Sequence, residues 1–484
     1  MAGQFRPHVA IVDLRLLDQY DERSGLGLLW HLRSARRILY SAYLTPAVTR
    51  EALRQHGATD WVGKNEPPQR LLDMVAEATQ RSCAGHRNLA IHRPPAWTSQ
   101  RIAGTLFGED SGVPPGIVDD VFAQLFPDSS ELTLETVSGE VTAPLPVSRG
   151  RTVVLKVQPD DLEPVVVKLA PANQIHEEAK RYRDYIRDRL AGRFYAQMRR
   201  TAEFWDLGGA TYAFLDSSLQ ALPSFAAFYR KEMDDQAILR PLRHLFTEVW
   251  GKYYAQPLAD RPVSLFQVYD EALHLRQRLD RINNQEDEWV LPGLPIPLLN
   301  PAPWVLRHAD EVLSLDVRVA ITHGDLHGDN LFVDDEHAWV IDFERSGPGH
   351  ILRDFIELEV DIATRLVSLQ RSDLARFHQL AVALAGFVES STPTHPPAIL
   401  LEDPEIRKAL HVIAGLRNLA YEITHFADPR EYLWGLLLDS LFVATLVPVK
   451  SPQRERALLL GAVLCDRLQR WGEEWSLPGR LPMP

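Results

Sequence analysis

The fold is decided by one stretch of sequence, Ile321-Thr-His-Gly-Asp-Leu-His-Gly-Asp-Asn-Leu-Phe-Val-Asp-Asp-Glu-His-Ala-Trp-Val-Ile-Asp-Phe-Glu344. Two short apolar runs within it, Leu331–Val333 and Trp339–Ile341, are separated by acidic turn residues. Apolar runs of this length on either side of a turn predict a β-hairpin. Such a hairpin would place Asn330, just before its first strand, beside Asp342, just after its second strand.

The polar residues of this stretch match the needs of phosphoryl transfer. That reaction needs a carboxylate to orient the acceptor hydroxyl and take its proton, and oxygen ligands to hold Mg²⁺ against the phosphates of ATP. Asp325 and Asn330 are five positions apart, which is the spacing of a kinase catalytic loop. The pattern predicts Asp325 as the catalytic carboxylate, Asn330 and Asp342 as the Mg²⁺ ligands, and His323 as a residue that hydrogen-bonds the loop backbone.

Two other interpretations of the loop remain open at this stage. One is an Asp- and Gly-rich loop without chemistry. The other is a metal hydrolase, because His323, Asp325, His327 and Asp329 alternate as ligand types. The hydrolase interpretation lacks further His or Cys residues at suggestive spacing, and it gives Asn330 no role.

The loop resembles that of the aminoglycoside phosphotransferase/choline kinase superfamily. The resemblance rests on His323-Gly-Asp-Leu-His-Gly-Asp-Asn330, on Ile341-Asp-Phe343 and on Gly347-Pro-Gly-His-Ile-Leu-Arg-Asp-Phe355. It covers roughly residues 131–450. The resemblance implies a bilobal protein-kinase-like fold with a β-rich small lobe and a helical large lobe, ATP and Mg²⁺ as cofactors, and Asp354 as an acid that supports the site.

One group within that superfamily is more similar than the rest. The tail Glu344-Arg-Ser-Gly-Pro-Gly-His350 and the run Arg353-Asp-Phe-Ile-Glu-Leu-Glu359 resemble bacterial kinase-like domains called ternary-complex-associated. Domains of this group are fused to signalling modules. The resemblance therefore implies a signalling component.

The nucleotide-binding residues are predicted upstream of the loop. Lys168 ends an apolar strand and is the predicted phosphate-binding lysine, with Lys156 as the alternative. Its partner would be an acid on the following helix, Glu178 or its neighbour Glu177. Gly139 is the one glycine of the predicted phosphate-covering loop, where protein kinases carry three. This difference argues against a protein kinase.

The N-terminal residues alternate between strand and helix patterns, which predicts a parallel sheet. Three predicted strands end at Asp13, Ser41 and Lys64, and the carboxyl ends of parallel strands meet at one edge of a sheet. The order of Asp, Ser and Lys at successive strand ends resembles that of a flavodoxin-like response-regulator receiver domain from its third strand onward. The resemblance implies that Asp13 accepts a phosphoryl group, that Ser41 contacts it and that Lys64 pairs with it.

This module departs from a receiver in one respect. The receiver's first strand carries an acidic pair that binds Mg²⁺, and no such segment precedes Pro7. The strand at residues 8–13 would then be an unpaired edge, which is a liability in water. Three explanations are open: the first strand lies upstream, a signalling protein partner or a second copy of the chain covers this edge, or the module is a degenerate receiver.

Bulk composition excludes several classes of protein. The 484 residues are 45% apolar and 24% charged, which is the composition of a globular protein. The net charge is −13, so the chain has no surplus of basic residues to bind nucleic acid. Cys83 and Cys465 form neither a disulfide framework nor a metal cluster, and a reducing compartment fits. No apolar stretch reaches the roughly 18 residues of a membrane span. We expect a cytoplasmic protein with no membrane partner.

The sequence as a whole predicts a multidomain α/β plus α+β chain. The expected function is an ATP- and Mg²⁺-dependent phosphotransferase acting on a hydroxyl of a small molecule or protein, coupled to the receiver-like module. The alternative is a pseudokinase-like binding or scaffold module in a bacterial signalling or defence assembly, which the glycine-poor phosphate loop favours. The predicted parts are a truncated receiver-like domain at 1–80, a connector at 81–130, a small lobe at 131–220 and a large lobe at 221–484.

Overall fold

The structure is a computed structural model of the 484-residue chain. It describes residues 9–17, 23–32, 35–80, 89–108, 116–136, 147–148, 152–190, 194–204, 206–213, 222–261, 263–282, 286–290, 294, 297–309, 317–369, 373–386, 402–447 and 451–471.

The chain has a mixed α/β fold with a β-rich N-terminal region and a helical C-terminal region. It divides into two compact units. Unit 1 contains Met1–Arg183 and Ala196–Gln220, and unit 2 contains Asp184–Tyr195 and Ala221–Pro484. The change from unit 1 to unit 2 after residue 220 coincides with the predicted start of the large lobe.

Unit 1 begins with a three-stranded parallel sheet in the order β1-β2-β3. This confirms the predicted parallel sheet, and β1 lies at its edge. Alternating apolar residues of the strands pack against the helices, so that Val12, Leu29 and Leu39 share one core. The elements are β1 (Val9–Val12), α1 (Ser24–His31), β2 (Arg36–Ser41), α2 (Pro46–Gln55), β3 (Asp60–Gly63) and α3 (Pro68–Gln80).

A seven-stranded sheet makes up the rest of unit 1, in the order β4-β5-β7-β8-β10-β9, with β6 paired to β7. All of its pairings are antiparallel except that between β4 and β5. The strands are β4 (Ala90–His92), β5 (Glu131–Glu135), β6 (Val147–Ser148), β7 (Thr152–Pro159), β8 (Val165–Pro171), β9 (Met198–Phe204) and β10 (Leu207–Ala213). The helices are α4 (Ser99–Phe107), α5 (Gly116–Leu125) and α6 (Ala172–Arg181), the last followed by a π-helical turn at Tyr182–Ile186.

The described residues of the predicted connector, 81–130, contribute to the core of this sheet. They supply β4, α4 and α5, and the side chains of Trp97 and Phe122 are fully buried in the core. Helix α5 lies very close to β10, because a Cβ atom at Gly209 would be 2.7 Å from Cγ1 of Val121. Glycine is therefore needed at this position for the helix to pack on the strand.

Unit 2 contains a three-stranded antiparallel sheet in the order β11-β14-β17 and two strand pairs, β12-β13 and β15-β16. Its strands are β11 (Ala259–Arg261), β12 (Glu288–Trp289), β13 (Leu298–Leu299), β14 (Val317–Thr322), β15 (Leu331–Val333), β16 (Ala338–Val340) and β17 (Gly347–His350). Its helices are α7 (Phe225–Lys231), α8 (Asp235–His244), α9 (Gly251–Ala255), α10 (Leu265–Leu273), α11 (Leu275–Ile282), α12 (Pro301–His308), α13 (Arg353–Asp361), α14 (Leu374–Gly386), α15 (Pro404–Thr424), α16 (Pro429–Leu446) and α17 (Pro452–Gln469), with π-helical turns at Leu245–Val249 and Ile362–Leu366.

The predicted hairpin is confirmed. Leu331 pairs with Val340 and Val333 pairs with Ala338, so the second strand is one residue earlier than predicted. The backbone N–H of Ile341 still donates to the carbonyl of Asn330 at 3.1 Å.

Local sequence signals fix where the helices of unit 2 begin and end. The carboxylate of Asp403 accepts hydrogen bonds from the N–H groups of Glu405 and Ile406 at 2.9 and 3.2 Å, and Pro404 follows it at the first position of α15. At the other end, His425 takes a left-handed conformation, which is a common way to end a helix. Among the helices that the structure describes, none is long and apolar enough to cross a bilayer.

A buried ion pair links the two sheets of unit 1. Nη2 of Arg36, on β2, lies 2.7 Å from Oδ2 of Asp120, on α5, and these side chains are 8% and 0% exposed. We predict that Asp120→Ala lowers the free energy of unfolding by about 3–5 kcal/mol, because it leaves a buried guanidinium without its carboxylate. The measurement is urea denaturation of the full chain. The control is Glu51→Ala, at a solvent-exposed ion pair with Arg23 that is expected to contribute about 1 kcal/mol or less. Equal losses in both variants would contradict the prediction.

Candidate functional site

The loop between β14 and β15 is held by acids on helix α13. Oδ2 of Asp354, in the first turn of that helix, accepts the N–H of His323 at 2.9 Å, and Oδ1 accepts the N–H of Gly324 at 3.0 Å. The hydroxyl of Tyr254 donates to the same carboxylate at 2.7 Å. Asp354 is fully buried, so these donors supply the hydrogen bonds that water would otherwise make. The predicted supporting acid therefore lies directly behind the loop backbone.

Two further acids on α13 repeat this arrangement. Oε2 of Glu357 accepts the N–H of Leu326 at 2.7 Å, and Oδ2 of Asp361 accepts the N–H of Gly328 at 2.8 Å. Positions 354, 357 and 361 fall on one face of a helix, because residues three and four apart are neighbours. The face of α13 thus binds the loop at regular intervals along its backbone.

Asp325 lies in this loop with its side chain partly exposed. Its Oδ1 accepts a hydrogen bond from Nη1 of Arg345 at 3.0 Å, and its backbone carbonyl accepts one from Nδ2 of Asn330 at 2.9 Å. Within the part of the chain that the structure describes, no donor contacts Oδ2 of Asp325.

Backbone geometry at Gly324 places Asp325 next to Arg345. Gly324 has a φ of +77°, and a Cβ there would lie 2.4 Å from the carbonyl oxygen of Arg345. Only glycine avoids both the unfavourable backbone conformation and the clash.

His323 hydrogen-bonds the backbone, as the sequence predicts. Its Nε2 lies 2.9 Å from the carbonyl oxygen of Ile341, so it donates and links the loop to the end of the hairpin. Burial lowers the pKa of His323, against the opposing effect of the Asp354 carboxylate. The ring is therefore neutral, and its role is to position the loop.

Asn330 and Asp342 flank the open end of the hairpin. Asn330 is 7% exposed and anchored through its Nδ2, so its Oδ1 is the oxygen that it offers to a ligand. Asp342 is half-buried and has a φ of +65°, a conformation that is uncommon for residues other than glycine. An amide oxygen and a carboxylate are the hard oxygen ligands that Mg²⁺ prefers, so this donor set fits that ion.

The predicted nucleotide residues of unit 1 form a buried ion pair. Nζ of Lys168 lies 2.9 Å from Oε2 of Glu178, and both side chains are almost fully buried. The hydroxyl of Tyr212 also donates to Glu178. Glu177 is exposed, and Lys156 pairs instead with Glu135 at 3.2 Å. Of the alternatives drawn from the sequence, the structure joins Lys168 and Glu178. Gly139 lies outside the described residues.

The three polar residues of the first sheet are also brought together. Nζ of Lys64 contacts Oδ2 of Asp13, and the hydroxyl of Ser41 hydrogen-bonds the same carboxylate. Burial raises the pKa of Asp13, but these two hydrogen bonds outweigh that effect and hold the pKa below its ordinary value. Asp13 is therefore a carboxylate at neutral pH.

Several residues of the site were not predicted from the sequence. Glu357 and Asp361 carry a signal that could have identified them, because they share a helix face with Asp354. Asp439 also carries a signal, because it is an acid within the apolar run of α16, and it is fully buried. Arg345 gives no such signal, because its contact with Asp325 depends on the turn after the hairpin.

The buried acids behind the loop have unusual protonation. Burial raises the pKa of Glu357 from 4.5 to about 7, although Arg353 opposes the shift. Burial also raises the pKa of Asp439 well above its ordinary value, and the nearby Glu357 carboxylate adds to this effect. Burial therefore favours the protonated form of Asp439, and Glu357 is about half-protonated at pH 7.

One sequence family and several solved structures are similar to parts of this chain. Residues 286–444, which are less than half of the chain, match a family described as Ternary complex associated domain 9. A search of curated protein sequences gives no match.

The similar solved structures include three phosphotransferases. A type VIII aminoglycoside-3'-phosphotransferase is 14% identical, with 62% of this chain and 92% of that chain covered and a TM-score of 0.35. A glucosamine kinase in complex with glucosamine, ADP and inorganic phosphate is 13% identical, with 73% and 83% covered and a TM-score of 0.37. A macrolide 2'-phosphotransferase from Brachybacterium faecium is 16% identical, with 73% and 98% covered and a TM-score of 0.33. TM-scores this low carry no argument about the activity or substrate of this chain.

The raised pKa of Glu357 makes a specific prediction about stability and pH. The pKa of Glu357 is about 7 in the folded state and 4.5 in the unfolded state. The stabilisation of the folded state that comes from protonated Glu357 is therefore complete below pH 4.5 and is lost as pH rises through 7. Glu357→Gln removes this loss. The difference in free energy of unfolding, variant minus wild type, should therefore rise between pH 4.5 and 7. The expected slope is up to about 1.4 kcal/mol per pH unit.

The measurement is urea denaturation at several pH values. The control is Glu422→Gln, at a glutamate on α15 that is 54% exposed. Parallel stability curves for Glu357→Gln and the wild type would show that Glu357 does not titrate in this range.

Proposed function

We propose that this chain is an ATP- and Mg²⁺-dependent phosphotransferase that acts on a hydroxyl group. One observation carries the proposal: Asp325, Asn330 and Asp342 lie on a loop and hairpin whose backbone is held by buried acids of α13. Phosphoryl transfer depends mainly on positioning and electrostatics, so a rigid loop that presents these three side chains suits it.

Asp325 is the catalytic carboxylate of this proposal. Its Oδ2 accepts the hydrogen of the acceptor hydroxyl, while Arg345 and the hydrogen bond from Asn330 fix the orientation of the residue. The acceptor oxygen forms a bond to the γ-phosphorus as the bond from that phosphorus to the β,γ-bridging oxygen breaks. ADP leaves, and the hydroxyl proton passes to Asp325.

Asn330 and Asp342 would hold Mg²⁺ through their side-chain oxygens. The ion supplies charge neutralisation for the phosphates when it is bound. His323 ties these two ligands to one backbone, because its ring donates to Ile341, between them in the hairpin.

Lys168 is assigned to the phosphates of the nucleotide. Its partner Glu178 is fully buried and holds the ammonium group in place. An ammonium that is already paired and desolvated loses little side-chain entropy when a phosphate binds.

We further propose that the sheet β1-β2-β3 is a receiver-like input module. Support comes from the contacts of Asp13 with Lys64 and Ser41 at the carboxyl ends of three parallel strands. Phosphorylation of Asp13, or binding of a signalling partner or second copy along the β1 edge, would then regulate phosphotransfer. Composition and cysteine content support a cytoplasmic setting.

The central test is ATP consumption by purified protein with Mg²⁺. We predict that Asp325→Asn lowers the turnover rate at least about a hundredfold, because the group that orients the hydroxyl and takes its proton is lost. Lys168→Met should abolish calorimetric binding of Mg²⁺-ATP. The matched control is Lys156→Met on the neighbouring strand, which should leave binding unchanged, since Lys156 pairs with Glu135.

Two results would overturn the catalytic proposal. One is turnover that is unaffected by Asp325→Asn, and the other is wild-type protein that does not bind Mg²⁺-ATP. Loss of Mg²⁺-ATP binding in Lys156→Met but not in Lys168→Met would indicate that the phosphates bind Lys156, on β7.

The receiver proposal has its own test. Full-length protein incubated with acetyl phosphate and Mg²⁺ should gain one phosphoryl group that is labile to base and to hydroxylamine, as expected for an aspartyl phosphate. The gain should disappear in Asp13→Asn and persist in Asp60→Asn, an acid at the opposite end of β3. Mass spectrometry measures it, and labelling that survives Asp13→Asn would reject Asp13 as the acceptor.

A further inference from the structure

Two arginines lie against one aromatic ring beside Asp325. Cζ of Arg278, on α11, is 5.2 Å from the ring centroid of Phe442, and Cζ of Arg345 is 5.3 Å from the same centroid. Both distances fall within the range of cation–π contact. Phe442 is buried on α16, so its ring is a fixed support that both guanidinium groups contact.

This arrangement places like charges together. Burial lowers the pKa of Arg278, and the nearby charges of Arg345 and Arg281 lower it further. Burial raises the pKa of Asp439, on the same helix as Phe442, and this weakens the acid as a counter-charge. An anion bound here would relieve the repulsion.

Arg278 has donors available for such an anion. Its Nε donates to the carbonyl of Leu273 at 2.9 Å, which orients the guanidinium group. Over the described part of the chain, Arg278 makes no ion pair and its two terminal nitrogens have no hydrogen-bond acceptor. With Nε engaged, the edge formed by Nη1 and Nη2 is the one suited to a carboxylate or phosphate.

Arg345 connects these donors to the reacting carboxylate. It lies over Phe442 and also donates to Oδ1 of Asp325 at 3.0 Å. A ligand held by Arg345 therefore lies beside Asp325. A cationic acceptor would be repelled by the same two groups.

We infer that the acceptor is a small hydroxylated anion, whose phosphate or carboxylate group is bound by Arg278 and Arg345 next to Asp325. The inference rests on the proposed phosphotransferase function for the role of Asp325. It adds a substrate class and names Arg278 as a residue that determines specificity.

The test uses the full chain and simple three-carbon probes. Glycerol 3-phosphate, glycerate and glycerol carry the same hydroxyl chemistry with a phosphate, a carboxylate and no charge. Calorimetric titration without nucleotide should show binding of one or both anions and none of glycerol, and the tighter anion identifies the group recognised.

Arg278→Gln should weaken anion binding at least about tenfold, because it removes charge-assisted hydrogen bonds. Arg278→Lys, which keeps the charge but loses the planar group, should weaken it less. The matched control is Arg276→Gln, two residues earlier on α11, where the arginine lies 5.1 Å from the ring centroid of Phe266 instead. Thermal melting checks that each variant is folded.

Three outcomes would overturn the inference: equal binding of glycerol and the anions, unchanged anion affinity in Arg278→Gln, and no binding of any probe at millimolar concentration. Failure of the proposed function looks different. In that case Arg278-dependent anion binding persists, while wild-type protein given Mg²⁺-ATP and the bound anion forms no phosphorylated product.

Discussion

The site depends on hydrogen bonds from loop backbone amides to the buried acids of one helix. Asp354, Glu357 and Asp361 turn the N–H groups of the loop towards α13. The side chain of Asp325 is then presented on a backbone that cannot rearrange without leaving a buried carboxylate short of partners, at a cost of about 1–3 kcal/mol for each. Hydrogen bonds of this kind give a loop the support that a precisely placed side chain needs.

Three carboxylates on one helix face are themselves unfavourable, and the structure shows two ways of reducing that cost. Arginines on the same helix or just beyond it pair with two of them: Arg353 with Glu357 at 2.8 Å and Arg365 with Asp361 at 2.5 Å. The second way is protonation, which removes the charge of a carboxylate, and the raised pKa of Glu357 favours it. The electrostatics around Asp325 therefore depend on buried residues behind the loop.

Much of the local structure could be predicted from the sequence, because it depends on periodicity and turn residues close together in the chain. The hairpin at β15 and β16, the parallel strands of the first sheet and the strand that bears Lys168 are examples. Contacts between distant segments could not be predicted in the same way. Arg278 and Phe442 are far apart in sequence, and nothing local indicates that they share a site. The packing of α5 on β10 is not predictable for a similar reason, since the proline-rich breaks near α5 are typical of a connector.

The left-handed backbone at Asp342 bears on which substitutions this position can accept. Glycine and asparagine adopt that conformation at least as readily as aspartate, whereas alanine and glutamate do so at a cost of about 1 kcal/mol or more. A lineage that no longer used the carboxylate could therefore drift to asparagine or glycine without a backbone penalty. The fold accounts for a short or absent side chain at this position, but it does not account for a negative charge. Under the proposed function, selection for metal binding is what keeps the aspartate.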